Sequence, residues 1–87
     1  MAAHRITISG KQFYEDEYRL TTRELDVAVR YLGDIVRDLD RAGVGQEQIT
    51  IRAELDTAPY TVEIEVYVTD RQAAALGWQL DEATEAA

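Results

Sequence analysis

The sequence predicts an α+β fold: a small antiparallel-rich sheet of three or four strands, one long helix packed across one face, and a short C-terminal helix. Two observations predict it. Apolar residues recur with the 3.6-residue period of a helix over residues 22–42, and with the two-residue period of strands on either side of a turn at residues 56–59. The element order is ββαββα, or βαββα if residues 12–20 form a loop, and the 87 residues are expected to form a single domain, 1–87.

The N-terminal part of the chain holds one clear strand and one ambiguous segment. "ITISG", at residues 6–10, is interpreted as a strand with Ile6 and Ile8 directed inward, ending in a turn around Gly10 and Lys11. The next segment, "QFYEDEYRL" at residues 12–20, alternates between two sets, Tyr14, Asp16, Tyr18 and Leu20 on one face and Phe13, Glu15, Glu17 and Arg19 on the other. Asp16 interrupts the first set, so both a fourth strand and a long ordered loop remain open.

The long helix is predicted by seven apolar residues that fall on one helical face. They are Leu25, Ala28, Val29, Leu32, Ile35, Val36 and Leu39. Thr21 and Glu24 stand at the spacing of a capping box, in which the hydroxyl accepts a hydrogen bond from a free N–H of the first turn. Gly43 and Gly45 provide the exit, so the helix is expected from about residue 22 to residue 42.

A hairpin is predicted after the helix. "ITIRAEL" and "YTVEIEVYV" both alternate between apolar and polar residues. The register that aligns their apolar faces pairs Leu55 with Tyr60, Ala53 with Val62, and Ile51 with Ile64. On the opposite face Arg52 is expected across from Glu63. The same face exposes Glu54, Asp56 and Glu65.

A short second helix is predicted near the C-terminus. Thr69 and Gln72 repeat the capping-box spacing, and Gly77 followed by Trp78 is typical of a helix C-terminus with an apolar residue after it. Residues 79–87 are expected to form an acidic tail that is frayed or extends this helix.

Charge is the strongest functional signal in the sequence. The formal net charge is −8, of which residues 1–45 carry −1 and residues 46–87 carry −7. Such a field repels nucleic acid and anionic membranes, so direct binding of nucleic acid is disfavoured and a basic partner surface is favoured. The chain has no cysteine and no stretch of 18 apolar residues, which favours a cytoplasmic location without a membrane span.

No catalytic residue, cofactor or metal site is predicted. His4 is the only histidine and Ser9 the only serine, with no motif that combines them with an acid. Residues 15–17 lack the alternate spacing and the glycine bend of a calcium loop. Glu63 and Glu65 are expected about 6.8 Å apart along one strand face. That separation is compatible with acid–base catalysis, so a small enzyme with paired carboxylates is kept as the least favoured function.

The order of "ITISG", a helix and a hairpin resembles the order of elements in the N-terminal domain of ribosome hibernation factors. The resemblance is one of order alone. Proteins of that family hold ribosomal RNA through a basic surface, which a chain of net charge −8 does not provide. We therefore carry no function over from this resemblance.

The expected function is non-catalytic binding of a basic partner surface by an acidic face with aromatic anchors. The most concrete form, by analogy, is an inhibitor that mimics the phosphate backbone, of the anti-restriction or anti-CRISPR type that phages encode. The candidate partner-binding residues are Phe13, Tyr14, Glu15, Asp16, Glu17, Tyr18, Glu54, Asp56, Glu63 and Glu65. The alternative is a homo-oligomeric structural or assembly protein that associates through a free strand edge or through the arginines of the long helix.

Overall fold

The computed structural model describes residues 2–80, which contain five strands, two α-helices and a short 3-10 helix. In chain order they are β1 (Ala2–Ile8), β2 (Lys11–Thr22), α1 (Leu25–Arg41), the 3-10 helix (Gln46–Gln48), β3 (Ile49–Glu54), β4 (Tyr60–Val68), α2 (Asp70–Leu76) and β5 (Gln79–Leu80). Neither α-helix of this described part is long and apolar enough to cross a membrane.

The five strands form one sheet in the order β3-β4-β2-β1-β5. β3, β4, β2 and β1 are each antiparallel to the next, whereas the two residues of β5 pair with β1 in parallel. α1 connects β2 to β3 and packs across β2 and β4, and α2 contacts the same two strands. The predicted α+β fold and the ββαββα order are therefore confirmed.

The ambiguous segment at residues 12–20 lies within β2, so the strand interpretation is confirmed and the loop interpretation is wrong. β2 pairs with β4 continuously from Tyr14 to Thr22. Asp16 is accommodated within the strand because its Oδ1 accepts a 2.7 Å hydrogen bond from the Glu17 N–H.

The core lies between α1 and one side of the sheet. β4 is its central strand, because alternate residues from Val62 to Val68 are buried and pack with Ala28 and Leu39 of α1. The buried apolar residues are Ala3, Tyr14, Ala28, Leu39, Val44, Val62, Ile64, Val66, Val68 and Ala73. Every buried side-chain polar atom in residues 3–79 has a hydrogen-bond partner, as expected of a well-packed interior.

α1 begins later than the sequence predicts. The predicted capping box of Thr21 and Glu24 is wrong, because Thr21 and Thr22 still belong to β2 and pair with β4. Glu24 is the N-cap instead, with an extended backbone, and its N–H donates a 3.1 Å hydrogen bond to the Thr22 Oγ1. The end of the helix is as expected, since Gly43 follows with a φ of +80° that glycine adopts readily.

The inward residues of β1 are not those expected. Ile6 lies opposite Phe13 and Ile8 opposite Lys11, on the side of the sheet away from the helices, so the prediction that both isoleucines point inward is wrong. The residue of β1 that is buried in the core is Ala3. The reason is register: the residues of β2 that face the helices have even numbers, and the β1–β2 pairing aligns them with odd-numbered residues of β1.

The β3–β4 hairpin has the predicted register. Its pairs include Ile51 with Ile64, Ala53 with Val62, and Arg52 with Glu63. β3 ends at Glu54, so the expected pair of Leu55 with Tyr60 is not part of the ladder.

α2 has the predicted caps. The Thr69 Oγ1 accepts a hydrogen bond from the Gln72 N–H, and the Gln72 Oε1 accepts one from the Thr69 N–H. Gly77 closes the helix with a left-handed φ of 73°, and the Trp78 N–H donates to the Ala73 carbonyl oxygen at 3.0 Å. The two residues of β5, the first of the expected tail, pair with β1. Residues 81–87 of that tail lie outside the described residues.

Candidate functional site

The sheet has one covered side and one open side. The helices pack on the side that carries Val62, Ile64 and Val66, so the alternate residues of each strand form the opposite side. We call this side the open face. Its residues are His4, Ile6 and Ile8 of β1; Lys11, Phe13, Glu15, Glu17, Arg19 and Thr21 of β2; Thr61, Glu63, Glu65 and Tyr67 of β4; and Thr50, Arg52 and Glu54 of β3.

Three carboxylates meet where β2 and β4 pair, and we call Glu15, Glu17 and Glu65 the acidic patch. Glu17 lies directly opposite Glu65 in the ladder, where the Cβ atoms of paired residues are about 4.5–5.5 Å apart and like charges destabilise the sheet. His4 lies opposite Glu15. A shallow hollow of ≈ 340 Å³ opens here, lined by His4, Glu15, Asp16, Glu17 and Glu65.

Arginine neutralises the part of the open face that adjoins the acidic patch. Glu63 lies between Arg52, its partner on β3, and Arg19, its partner on β2. The Arg19 Nη2 is 3.9 Å from the Glu63 Oε2, and the Arg19 Nε is 3.3 Å from the Glu17 Oε1. Within residues 2–80, no basic side chain lies within salt-bridge distance of the other two carboxylates of the acidic patch. Negative charge is therefore least balanced at Glu15 and Glu65, whereas Glu17 and Glu63 share Arg19.

An apolar corner, formed by Ile6, Phe13 and Tyr67, adjoins the acidic patch. The rings of Phe13 and Tyr67 meet edge to face with centroids 5.2 Å apart, and Ile6 lies opposite Phe13. The Tyr67 hydroxyl donates a 3.0 Å hydrogen bond to the Glu47 carbonyl oxygen, which fixes the direction of the ring. Aromatic rings beside polar groups are enriched among the anchors of protein interfaces.

Three of the ten predicted partner-binding residues lie on the covered side. Tyr14 is buried, and Asp16 and Tyr18 share its side of β2. The Tyr18 hydroxyl accepts a 2.8 Å hydrogen bond from the Trp78 Nε1–H. Burial raises the pKa of Tyr18, and this hydrogen bond opposes the rise. Tyr14 and Tyr18 join β2 to the core and to the turn after α2. Asp16 also lines the hollow beside the acidic patch.

The other seven predicted residues are exposed or half-buried. Those that lie together on the open face are Phe13, Glu15, Glu17, Glu63 and Glu65. Glu54 lies on the same face at the far end of β3, and Asp56 lies in the loop between β3 and β4.

Sequence reasoning missed His4 and Tyr67, which border the acidic patch. The two-residue alternation of apolar and polar residues along β4 could have placed Tyr67 on the same face as Glu65. The sequence signal that could have identified His4 is the pair Ser9 and Gly10. In the structure these two residues form a two-residue turn with φ angles of 52° and 78°. Such a turn is typical of tight hairpins, and it aligns Ile8 with Lys11 and therefore His4 with Glu15.

The chemistry of the acidic patch is that of hydrogen-bond acceptors with negative charge, which suits ammonium and guanidinium groups. No group of three or more histidine, aspartate or glutamate side chains in the described range 2–80 is arranged to hold a metal ion. No family model, no curated protein and no solved structure matches this chain. The function is therefore argued from the geometry of the open face.

Proposed function

We propose that this protein is a non-catalytic binding protein whose open face docks on a basic surface of a partner protein. The observation that carries the proposal is the acidic patch, in which Glu17 and Glu65 face one another and Glu15 lies beside them. Negative charge that served only to keep the protein dispersed has no need to be concentrated in this way. Like charges in direct cross-strand opposition are destabilising by an amount on the order of 0.2–1 kcal/mol. A cationic group of a partner that contacts both carboxylates offsets this repulsion.

Arginine is the side chain that fits this surface best. Its planar guanidinium donates to two carboxylate oxygens at once. The apolar corner beside the patch offers the ring of Phe13 to a second guanidinium, which is attracted to the face of an aromatic ring. We therefore expect an arginine-rich partner surface over the acidic patch, with its edge on the apolar corner.

The more specific form of the proposal is mimicry of nucleic acid, as in the anti-restriction and anti-CRISPR inhibitors of phages. Glu15 and Glu17 stand two residues apart on one strand, which is about 6.8 Å at the rise of a strand. This spacing matches every second charge of a nucleic-acid strand, whose phosphates recur at about 3.4 Å. Glu65 on β4 adds a second row. In this form the partner is a nucleic-acid-binding protein of the cytoplasm, a compartment that suits a chain without cysteine.

The experiment compares two variants that each lose three carboxylate charges. They are Glu15→Gln/Glu17→Gln/Glu65→Gln, on the open face, and Asp26→Asn/Asp34→Asn/Asp40→Asn, at exposed positions of α1. The probe is a fluorescent nona-arginine peptide. Its affinity for each variant and for the native chain is measured by anisotropy at about 50 mM and about 200 mM salt, because exposed charge pairs are screened as salt rises.

The open-face variant should lose at least about tenfold in affinity, because charge-assisted contacts to the peptide are removed. The control variant should lose much less, since its carboxylates lie away from the docking surface. Equal losses in the two variants would show that total charge, and not the open face, attracts the cation. That result would contradict the proposal.

A further inference from the structure

β3 is an edge strand that no other strand of the described part of the chain covers on its outer side. It lies at one end of the sheet order, and five of its six residues, Thr50 to Glu54, are exposed. An edge strand presents unpaired backbone N–H and C=O groups, and proteins usually protect it with proline, lysine or a bulge. β3 has the sequence ITIRAE, with neither proline nor lysine.

The apolar side of the sheet is incompletely covered beside this edge. Ile51 of β3 is 46% exposed and Val29 of α1 is 50% exposed. The sequence pattern predicts both residues on the core-facing sides of their elements. α1 packs across β2 and β4, so β3 lies beyond its flank. An additional strand alongside β3 would pair the free backbone groups and cover Ile51 at the same time.

The charges of β3 indicate that the additional strand is β3 of a second copy of this chain. Arg52 and Glu54 are exposed, and they stand two residues apart on the open face. When two copies of β3 pair antiparallel about a two-fold axis at Ala53, Arg52 of each copy lies opposite Glu54 of the other. An axis at Arg52 would instead place two arginines opposite one another, which is unfavourable. β3 is therefore self-complementary in the first register, as a two-fold interface requires.

We propose that two copies of this chain pair through β3, antiparallel and with Ala53 at the two-fold axis, so that one sheet continues across the interface. In this register Ile51 of one copy lies opposite Leu55 of the other, which covers both side chains. The interface is small, so the dimer is weak. The association is independent of the proposed function, and it places two open faces side by side.

The net charge of the chain does not prevent this association. Three strand spacings of about 4.8 Å separate β4 of one copy from β4 of the other, about 14 Å in total. This exceeds the screening length of about 8 Å in physiological salt, so the two acidic patches repel one another only weakly.

Charge reversal tests the proposal, because it distinguishes a second copy from any other occupant of the edge. Arg52→Glu places two glutamates at each cross-strand contact, and Glu54→Arg places two arginines there. Each variant alone should dimerise at least about tenfold more weakly than the native chain, because like charges then face one another twice. An equimolar mixture of the two variants should recover dimers as the mixed species, since each copy supplies the charge that the other lacks.

Sedimentation velocity over about 10 µM to 1 mM gives the dissociation constants, and native mass spectrometry identifies the mixed dimer. Ile51→Lys is a second variant that should be monomeric, because an inward-pointing lysine on an edge strand blocks pairing. Circular dichroism shows whether each variant is folded. The proposal is overturned if the native chain is monomeric at about 1 mM, if mixing the two charge variants restores no dimer, or if β3 pairs only with an extended peptide of another protein.

Discussion

At the scale of single residues, two glutamates of β4 share the open face but differ in their surroundings. Glu65 lies opposite Glu17, whereas Glu63 lies between Arg19 and Arg52. The two side chains are chemically identical and stand two residues apart on one strand. Substitutions of Glu63 and Glu65 can therefore be compared directly, because the two side chains differ mainly in their electrostatic environment.

Glu65→Gln should raise the free energy of unfolding by about 0.2–1 kcal/mol at low salt, because it removes the repulsion with Glu17. Glu63→Gln should lower it by up to about 1 kcal/mol, because Arg19 loses an ion-pair partner and Arg52 loses the acid opposite it in the ladder. Both effects should shrink in about 1 M salt, where the screening length is about 3 Å. Urea unfolding at low and high salt measures them. A loss of stability in Glu65→Gln would show that the opposed glutamates do not repel one another.

Two tyrosines make the stability depend on pH in alkaline solution. Burial raises the pKa of Tyr18, opposed by the hydrogen bond from Trp78, and burial also raises the pKa of Tyr31. Below the ordinary value of 10.0, both phenols are protonated in the folded and the unfolded chain, and their contribution is constant. As the pH rises above that value, the unfolded chain loses these protons first, so the free energy of unfolding falls through the folded-state pKa values.

Tyr18→Phe should therefore make the alkaline decline in stability shallower, as measured by urea unfolding between about pH 8 and pH 11.5. Trp78→Phe removes an N–H that stabilises the phenolate, so it should move the ionisation of Tyr18 to still higher pH, as read from tyrosinate absorbance. An identical decline in the native chain and in Tyr18→Phe would show that Tyr18 is not shielded from water.

At the scale of elements, α1 is only half covered by the sheet. Of its seven-residue apolar face, Ala28 and Leu39 are buried, whereas Leu25, Val29 and Val36 are more than a third exposed. The cause is the position of α1 across β2 and β4, with β3 beyond its flank. The 3.6-residue period therefore identifies the helix but overstates how much of it contributes to the core.

Leu39→Ala should lower the free energy of unfolding by about 2–5 kcal/mol, because a fully buried side chain leaves a cavity. Val29→Ala should lower it by less than about 1 kcal/mol, because that side chain is half exposed and alanine is the better helix former. Urea unfolding of both variants gives the comparison. Similar losses would place Val29 in the core and contradict the off-centre position of α1.

The sequence predicts those parts of the fold that neighbouring residues decide. The hairpin register and the caps of α2 are local patterns, and the structure has both. The errors concern pairing between separate elements. β2 extends to Thr22 because it pairs with β4, which delays the start of α1, and Ile6 faces outward because the register with β2 outweighs its hydrophobicity. In the candidate site, the opposition of Glu17 and Glu65 likewise depends on the pairing of β2 with β4, which no local pattern specifies.

At the scale of the whole molecule, a net charge of −8 attracts any cation at long range, and we propose that the acidic patch determines where the contact forms. The acids of α1 provide the comparison, because some of them are paired within the helix. Arg30 lies 3.5 Å from Asp26, and Arg37 lies 3.8 Å from Asp34. The central claim is therefore spatial: Asp26 and Asp34 each have an arginine partner on α1, whereas Glu15 and Glu65 of the acidic patch have no basic side chain within salt-bridge distance among residues 2–80.

The most direct test of this claim is an NMR titration of the nitrogen-15-labelled protein with the nona-arginine peptide. At about 50 mM salt, we predict that the largest amide shifts fall in β2 at Glu15 and Glu17 and in β4 at Glu65, with much smaller shifts at Asp26 and Asp34 of α1. Shifts spread evenly over the acidic residues of both sides, or concentrated on α1, would contradict the claim, because binding would then follow net charge and not the open face.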